Sequence, residues 1–186
     1  IRYFEEWKAD PYRKPLILQG ARPVGKTYSI LEFGRTHYDN VAYFNFETSP
    51  RLVETFKEDI SPGYLIPVLS QICGQTIVRE RTLIVLDEVQ LCERALTSLK
   101  YFCEEAPDYH VIVAGSLLGV AVGRTAFSFP VGKVNIRNLY PMDLEEFLVA
   151  LGQESLVSQI RHCFDTDTPL PWALHEKAMD FYRQYL

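Results

Sequence analysis

The chain has 186 residues, 47% apolar and 23% charged, with a formal net charge of −5. That size suits one ordinary α/β domain with a helical appendix, and the acidic balance argues against strong nucleic-acid binding by this segment alone, because neutralising phosphates draws on a surplus of Lys and Arg. No apolar run approaches the about 18 residues of a membrane span, and the start, Ile1-Arg2-Tyr3-Phe4-Glu5-Glu6, is too mixed in charge for a secretory signal. The first residue is not Met, so the chain is expected to lack its true N-terminus.

Strands and helices alternate along the chain. Leu16-Ile17-Leu18 is a short buried-strand run, and Ile30, Leu31 and Phe33 fall on one face of a helix that follows it and ends near Tyr38. Val41 to Phe46 predicts a second strand, and Pro50 to Asp59 a helix with Leu52, Val53 and Phe56 on one side. Ser61-Pro62 is an N-cap with proline at the first helical position, opening a helix toward Cys73-Gly74. Thr82 to Leu86 is a third strand, Glu93 to Glu105 an amphipathic helix, and Val111 to Ala114 a fourth strand ending at Gly115-Ser116. A fifth strand is placed at Val134–Leu139. Pro141 and Asp143 then open a helix through Leu151 that Gly152 stops, and Pro169 and Pro171 divide the helical remainder. The last piece, from Trp172 to Leu186, has no capping signal, so the chain is expected to stop inside a larger protein or in a helix that continues.

Near-continuous apolar strands alternating with helices imply an α/β fold: a mostly parallel five-stranded sheet with helices on both faces and a short C-terminal helical segment. The expected division is a core over residues 1–152 and a helical segment over 153–186. Ligands on such sheets bind at the carboxyl ends of the strands, and the residues with chemistry to offer fall there.

Gly20-Ala21-Arg22-Pro23-Val24-Gly25-Lys26-Thr27 fits the phosphate-binding pattern G-x-x-x-x-G-K-[ST] between a strand and a helix. Such a loop, Gly20 to Tyr28 here, aims backbone N–H groups and a helix N-terminus at a phosphate chain. Lys26 would reach the β- and γ-phosphates of ATP or ADP, and the Thr27 hydroxyl would hold Mg²⁺. These P-loop NTPase features meet one obstacle. Pro23 has no N–H to give, and its ring fixes φ near about −65°.

Leu83-Ile84-Val85-Leu86-Asp87-Glu88 places two carboxylates after four apolar residues, the Walker B pattern. Asp87 would anchor Mg²⁺ and Glu88 would polarise the water that attacks the γ-phosphate; taken alone, the same pair could complement the dipole of the next helix. Ser116 either touches the γ-phosphate and attacking water or caps a turn. Asn45 either hydrogen-bonds Glu88 and holds it until activation or closes the end of its own strand. Arg124, in the Gly-rich stretch Gly119 to Gly132, is either an arginine finger toward a neighbouring subunit, implying a homo-oligomer, or a solvated loop residue; Lys133 and Arg137 are weaker candidates. Tyr3, Phe4, Trp7 and Tyr38 flank the adenine or, the better reading, pack in the core. None of His37, His110, His162 and His175 is marked as catalytic. Cys73, Cys92, Cys103 and Cys163 form no C-x-x-C and no zinc-like spacing with His, so they read as free thiols of a reducing cytoplasm.

Several of these segments together resemble a large bacterial and archaeal group of AAA+-superfamily ATPases: Lys14 to Thr27, Tyr43-Phe44-Asn45-Phe46-Glu47, Asp87-Glu88-Val89-Gln90, Ala114 to Gly119, Ser128 to Val134, Leu139-Tyr140-Pro141-Met142, and Glu145-Glu146-Phe147-Leu148. The resemblance implies an Mg²⁺-dependent ATPase core normally followed by a C-terminal domain of unknown function. That domain, absent here, is the expected partner and the only expected route to DNA; no membrane is implied. The group carries glutamine where Pro23 stands. In P-loops this fourth position commonly gives its N–H to the oxygen bridging the β- and γ-phosphates, so the departure bears first on hydrolysis. Two rival readings stand beside the ATPase: a nucleotide-binding switch or scaffold with little turnover, which Pro23 motivates, and a small-molecule kinase, against which stands the absence of an arginine-rich lid segment.

Overall fold

In a computed structural model, which describes residues 2–115 and 130–186, the apolar runs become the strands and the helices lie between them. The first unit, Ile1–Tyr140, runs α1 (Arg2–Ala9), β1 (Leu16–Gln19), α2 (Lys26–His37), β2 (Asn40–Asn45), α3 (Pro50–Glu58), α4 (Pro62–Cys73), β3 (Thr82–Asp87), a 3₁₀ turn (Val89–Leu91), α5 (Glu93–Glu105), β4 (His110–Gly115) and β5 (Asn135–Asn138). The helix α1 is an addition to the expected elements. The second unit, Pro141–Leu186, holds α6 (Leu144–Ala150), α7 (Glu154–Asp165) and α8 (Trp172–Tyr185).

The strand order is β2-β3-β4-β1-β5, and every described pairing is parallel. The chain leaves β1 for the far edge, returns strand by strand to β4, and then crosses to β5 on the other side of β1. Strand β1 is therefore the place where the winding direction reverses, the crevice where ligands bind in such sheets.

Alternation along each strand distributes the core to both faces. Ile84, Leu86, Val111 and Val113 join Leu52 and Phe56 of α3, Leu65 and Leu69 of α4, and Leu96, Leu99 and Phe102 of α5. Leu83, Val85, Ile112 and Ala114, with Leu16 and Leu18, meet Phe4 and Trp7 of α1 and Ile30 and Phe33 of α2. Phe4 and Trp7 are core residues, and Tyr3 and Tyr38 pack against the same cluster. The sheet is thus covered on both sides, as a parallel sheet requires.

The second unit begins ahead of the division expected at residue 152, because Gly152 ends a helix without ending a packing unit. Asp143 opens α6 with a capping box: its carboxylate accepts from Glu146 N at 2.8 Å while the Glu146 carboxylate accepts from Asp143 N at 3.1 Å. Arg161 of α7 then pairs with Glu145 of α6, and Tyr185 of α8 donates to the Met142 carbonyl at 2.9 Å. No described helix is long and apolar enough to cross a membrane.

His110 opens β4 at 4% exposure. Its Nδ1 lies 2.7 Å from the Tyr38 hydroxyl. Burial, helped by the Arg13 and Lys8 charges, lowers its pKa from 6.5 to about 3. The folded chain therefore keeps the ring neutral at pH values where the unfolded chain protonates it. Stability present above pH 6.5 is lost as the pH falls toward 3, since the unfolded state then binds the extra proton. Urea titrations between pH 7 and pH 4 are expected to show this fall, with a slope of up to about 1.4 kcal/mol per pH unit from this residue, and His110→Gln is expected to flatten it.

Candidate functional site

The phosphate-binding loop links the carboxyl end of β1 to α2, and two glycines shape it. Gly20 has the backbone of Leu139 directly behind it: a Cβ there would lie 2.2 Å from the Leu139 carbonyl oxygen. Leu139 N in turn donates to Gln19 O at 2.7 Å, so the end of β5 closes on the start of the loop. Gly25, at φ 83° and ψ 21°, turns the chain into α2 through the left-handed region. Among the described residues no acceptor is found for the N–H groups of Lys26, Thr27 and Tyr28. These are the orphan donors of a helix start, an arrangement suited to an anion.

Lys26 is only 8% exposed. Its ammonium donates to the Gly20 and Ala21 carbonyls at 2.8 and 2.9 Å, folding the side chain back over the loop. Burial lowers its pKa, against the charges of Glu88 and Asp87, which raise it. Pro23 is exposed at the rim and brings no donor; Ala21 and Tyr28 are exposed as well, and Val24 half-buried.

Asp87 ends β3 and is 4% exposed. Three donors converge on its carboxylate. Thr27 Oγ1 and the Tyr43 hydroxyl both donate to Oδ2 at 2.8 Å, and Glu88 N donates to Oδ1 at 2.9 Å. The loop, β2 and β3 are thereby joined at one carboxylate, and the pair expected to hold a metal, Thr27 and Asp87, is in direct contact. No group of three or more His, Cys, Asp or Glu among the described residues is placed to hold a metal ion. One hydroxyl beside one carboxylate suits Mg²⁺, which takes one or two carboxylates and completes its shell with phosphate oxygens and water.

Glu88 follows in the left-handed region, at φ 54° and ψ 39°. A non-glycine residue held there costs of order 1–3 kcal/mol, and such residues cluster at functional sites. Its carboxylate is pinned from two sides on the same oxygen: the Gln90 amide and the Arg22 guanidinium both reach Oε2. Burial pushes the Glu88 pKa up, but the hydrogen bonds from Gln90 and Arg22 and the nearby cations outweigh it, and the net shift is downward. Arg22 also stands 3.7 Å from Glu47.

Of the two readings of Asn45, its hydrogen bonds match the one in which it closes the end of its own strand. Its Oδ1 accepts from Glu47 N at 2.8 Å and Thr48 N at 3.2 Å, and its Nδ2 donates to the Tyr43 hydroxyl at 3.2 Å. An asparagine at a strand end satisfies the turn beside it first. Ser116 and Arg124 lie outside the described residues. Lys133 pairs with Glu104 at 2.9 Å, and the Arg137 guanidinium lies 4.5 Å from the centre of the Tyr3 ring, so both are engaged elsewhere.

The sequence reading missed three features here: Tyr43 on Asp87, Gln90 on Glu88, and the partner of Arg22. Only the first carried even a partial signal, strand-face alternation, and that becomes usable only once the register is known. Tyr43 and Asn45 share a strand face, and the register sets Asn45 opposite Asp87, one long side chain from the Tyr43 hydroxyl.

A family described as an AAA domain matches residues 12–148, most of the chain. The chain belongs to the AAA domain family. These are nucleotide-binding P-loop ATPases of the AAA+ superfamily. Among solved structures, Drosophila ORC bound to DNA is 16% identical over 99% of this chain and 52% of that one, with a TM-score of 0.55, a likeness of fold. C. elegans PCH-2 (15% identity, 81% of this chain and 40% of that one, TM-score 0.39) and the Thermotoga maritima RuvB Holliday junction branch migration motor (13%, 91% and 62%, TM-score 0.40) are similar more distantly. The AAA domain spans about half the length of the ORC chain and less than two thirds of the other two. No curated protein matches it.

Within this AAA domain, Tyr43→Phe removes one of the three donors to Asp87. The hydroxyl belongs to a residue 36% exposed, so the expected loss of unfolding free energy is about 1 kcal/mol, the worth of an ordinary hydrogen bond and less than that of a fully buried bond to a charged group. An unchanged denaturant midpoint would show that water replaces the bond at no cost.

Proposed function

We propose that this chain is the Mg²⁺-dependent ATP-hydrolysing core of a larger protein and that its nucleotide cycle moves or gates an attached domain. One observation carries the reading: Thr27, Asp87 and Glu88 stand together at the carboxyl ends of the central strands, beside the buried Lys26. Thr27 and Asp87 are the residues that would hold Mg²⁺, and the ion would supply charge neutralisation for the phosphates.

In this reading the Lys26 ammonium leaves the Gly20 and Ala21 carbonyls for the β- and γ-phosphate oxygens. The N–H groups that open α2 bind the phosphate chain from below. Glu88, kept as a carboxylate, accepts a proton from water; the water oxygen forms the new bond to the γ-phosphorus as the bond to the ADP oxygen breaks, leaving ADP and inorganic phosphate. The attached domain belongs to the same reading, which draws on the family and on the fraction of the neighbours' length that this chain spans.

Turnover and nucleotide binding of three proteins provide the test. Lys26→Ala is expected to weaken ATP binding by roughly ten- to a hundredfold, the worth of a charged hydrogen bond or two. Glu88→Gln is expected to bind ATP and to lose roughly 10²–10⁴ in turnover, the contribution of a general base. Unchanged ATP binding by Lys26→Ala would overturn the site assignment.

Pro23 favours a second reading, a nucleotide-dependent switch with little turnover, because the loop lacks the N–H that would serve the bridging oxygen. Pro23→Gln is expected to raise turnover by roughly ten- to a hundredfold, the worth of a charged hydrogen bond. Equal rates for the two proteins would remove the ground for the switch.

A further inference from the structure

Arg22 is the loop residue whose side chain reaches Glu88, past the end of β3. Its guanidinium pairs with Glu88 Oε2 and stands 3.7 Å from Glu47, so it lies over the carboxyl ends of β2 and β3. The two carboxylates differ in setting. Glu47 is 58% exposed, whereas the Glu88 side chain is 16% exposed and held a second time by Gln90. Arg22 itself is 53% exposed, on a loop rim where its long side chain can turn. The fork is therefore anchored at one inner carboxylate and free on its outer side.

The inference rests on the ATPase reading of the site. If Glu88 activates the water that attacks the terminal phosphate, its carboxylate stands within one water of that phosphate. A guanidinium bonded to Glu88 is then within reach of the same phosphate oxygens. The start of α2 serves the inner phosphates, deeper in the loop, and Lys26 reaches from the β- to the γ-phosphate on that inner side; a diphosphate ends beside it. Only a third phosphate extends to Arg22.

We propose that Arg22 determines specificity for nucleoside triphosphate over diphosphate, exchanging the Glu88 carboxylate for the terminal phosphate when a triphosphate fills the loop. The exchange is driven by charge, because a terminal phosphate offers more negative charge than one carboxylate and matches the planar fork in two directions. It also frees Glu88. With Arg22 turned away, Glu88 keeps Gln90 as its partner and presents its other oxygen to water. The ligand that can be hydrolysed is thereby the ligand that releases the base. A diphosphate leaves the ion pair closed.

Calorimetric titration of the full chain with ADP and with a non-hydrolysable β,γ-imido ATP analogue, in Mg²⁺, tests this on the wild type, Arg22→Ala and Arg22→Lys. The Ala variant is expected to bind the triphosphate analogue about tenfold or more weakly, the worth of a charged hydrogen bond, while its ADP affinity stays within about twofold. The Lys variant recovers part of the loss, since it restores the charge without the fork. Unchanged ADP binding also reports that the loop is folded. Equal weakening toward both nucleotides would make Arg22 a structural residue and overturn the proposal, as would unchanged affinity for both. A wild type that binds neither nucleotide would overturn the ATPase reading itself, a result distinct from either.

Discussion

The carboxylate of Asp87 is the point on which the rest of the site hangs. It is buried at the end of the interior strand β3 and accepts from the loop threonine, from a tyrosine on β2 and from the next backbone N–H. A buried carboxylate without partners would be costly, and these three donors satisfy it. The same bonds locate α2 relative to β3. Thr27 sits in the first turn of α2, and its hydroxyl ties the loop to the strand directly.

That tie would be of little use on a flexible base. The two-sided core supplies the rigidity. Leu83 and Val85 face α1 and α2, while Ile84 and Leu86 face α3, α4 and α5, all fully buried. Strand β3 is thus clamped from both faces and hydrogen-bonded along both edges, to β2 and to β4. Its last residues are presented at a fixed height above the sheet. Glu88 can be held in a costly left-handed conformation because everything before it is immobile.

The fold was legible in the sequence because its signals are redundant. Each strand between Leu16 and Gly115 is an apolar run bounded by polar or turn residues, and each helix between them carries an apolar stripe, so a single ambiguous residue changes nothing. The helix α1 escaped because it has one short apolar stripe, Phe4 and Trp7, among mostly charged residues; its support comes chiefly from packing on Phe33, which is not a local signal, and the exposed Arg2–Glu6 pair at i, i+4 spacing is a local signal worth little. In the site, the residues defined by spacing within one segment, Gly20 to Thr27 and Asp87-Glu88, were readable. The links between segments were not. Asn45 offered two readings, a partner of Glu88 or the close of its own strand, and spacing could not choose between them; the turn Asn45 to Thr48 offers it two backbone N–H groups at close range. Tyr43 read as a strand aromatic because its ring suits a strand; its hydroxyl acquires a role only once the register of β2 on β3 is known.

The two unusual neighbours in the loop, Arg22 and Pro23, are best weighed together. Pro23 withdraws a neutral backbone donor from the phosphate cradle, while Arg22 adds a cationic fork beside it. Both bonds would go to an ionised phosphate, so each counts as a charged hydrogen bond, and the change is an exchange in kind more than a loss in strength. In the proposed ATPase reading, it alters where the loop would hold a phosphate chain. A backbone N–H at position 23 would act at a fixed point on the bridging oxygen, whereas a guanidinium on a long side chain acts farther out, toward Glu88. The balance of the loop moves from the bond that breaks to the phosphate that leaves and to the base that waits beside it. Binding of a triphosphate can therefore stay strong in a loop whose stabilisation of the bridging oxygen is weakened, and affinity and rate become separable properties of two adjacent residues.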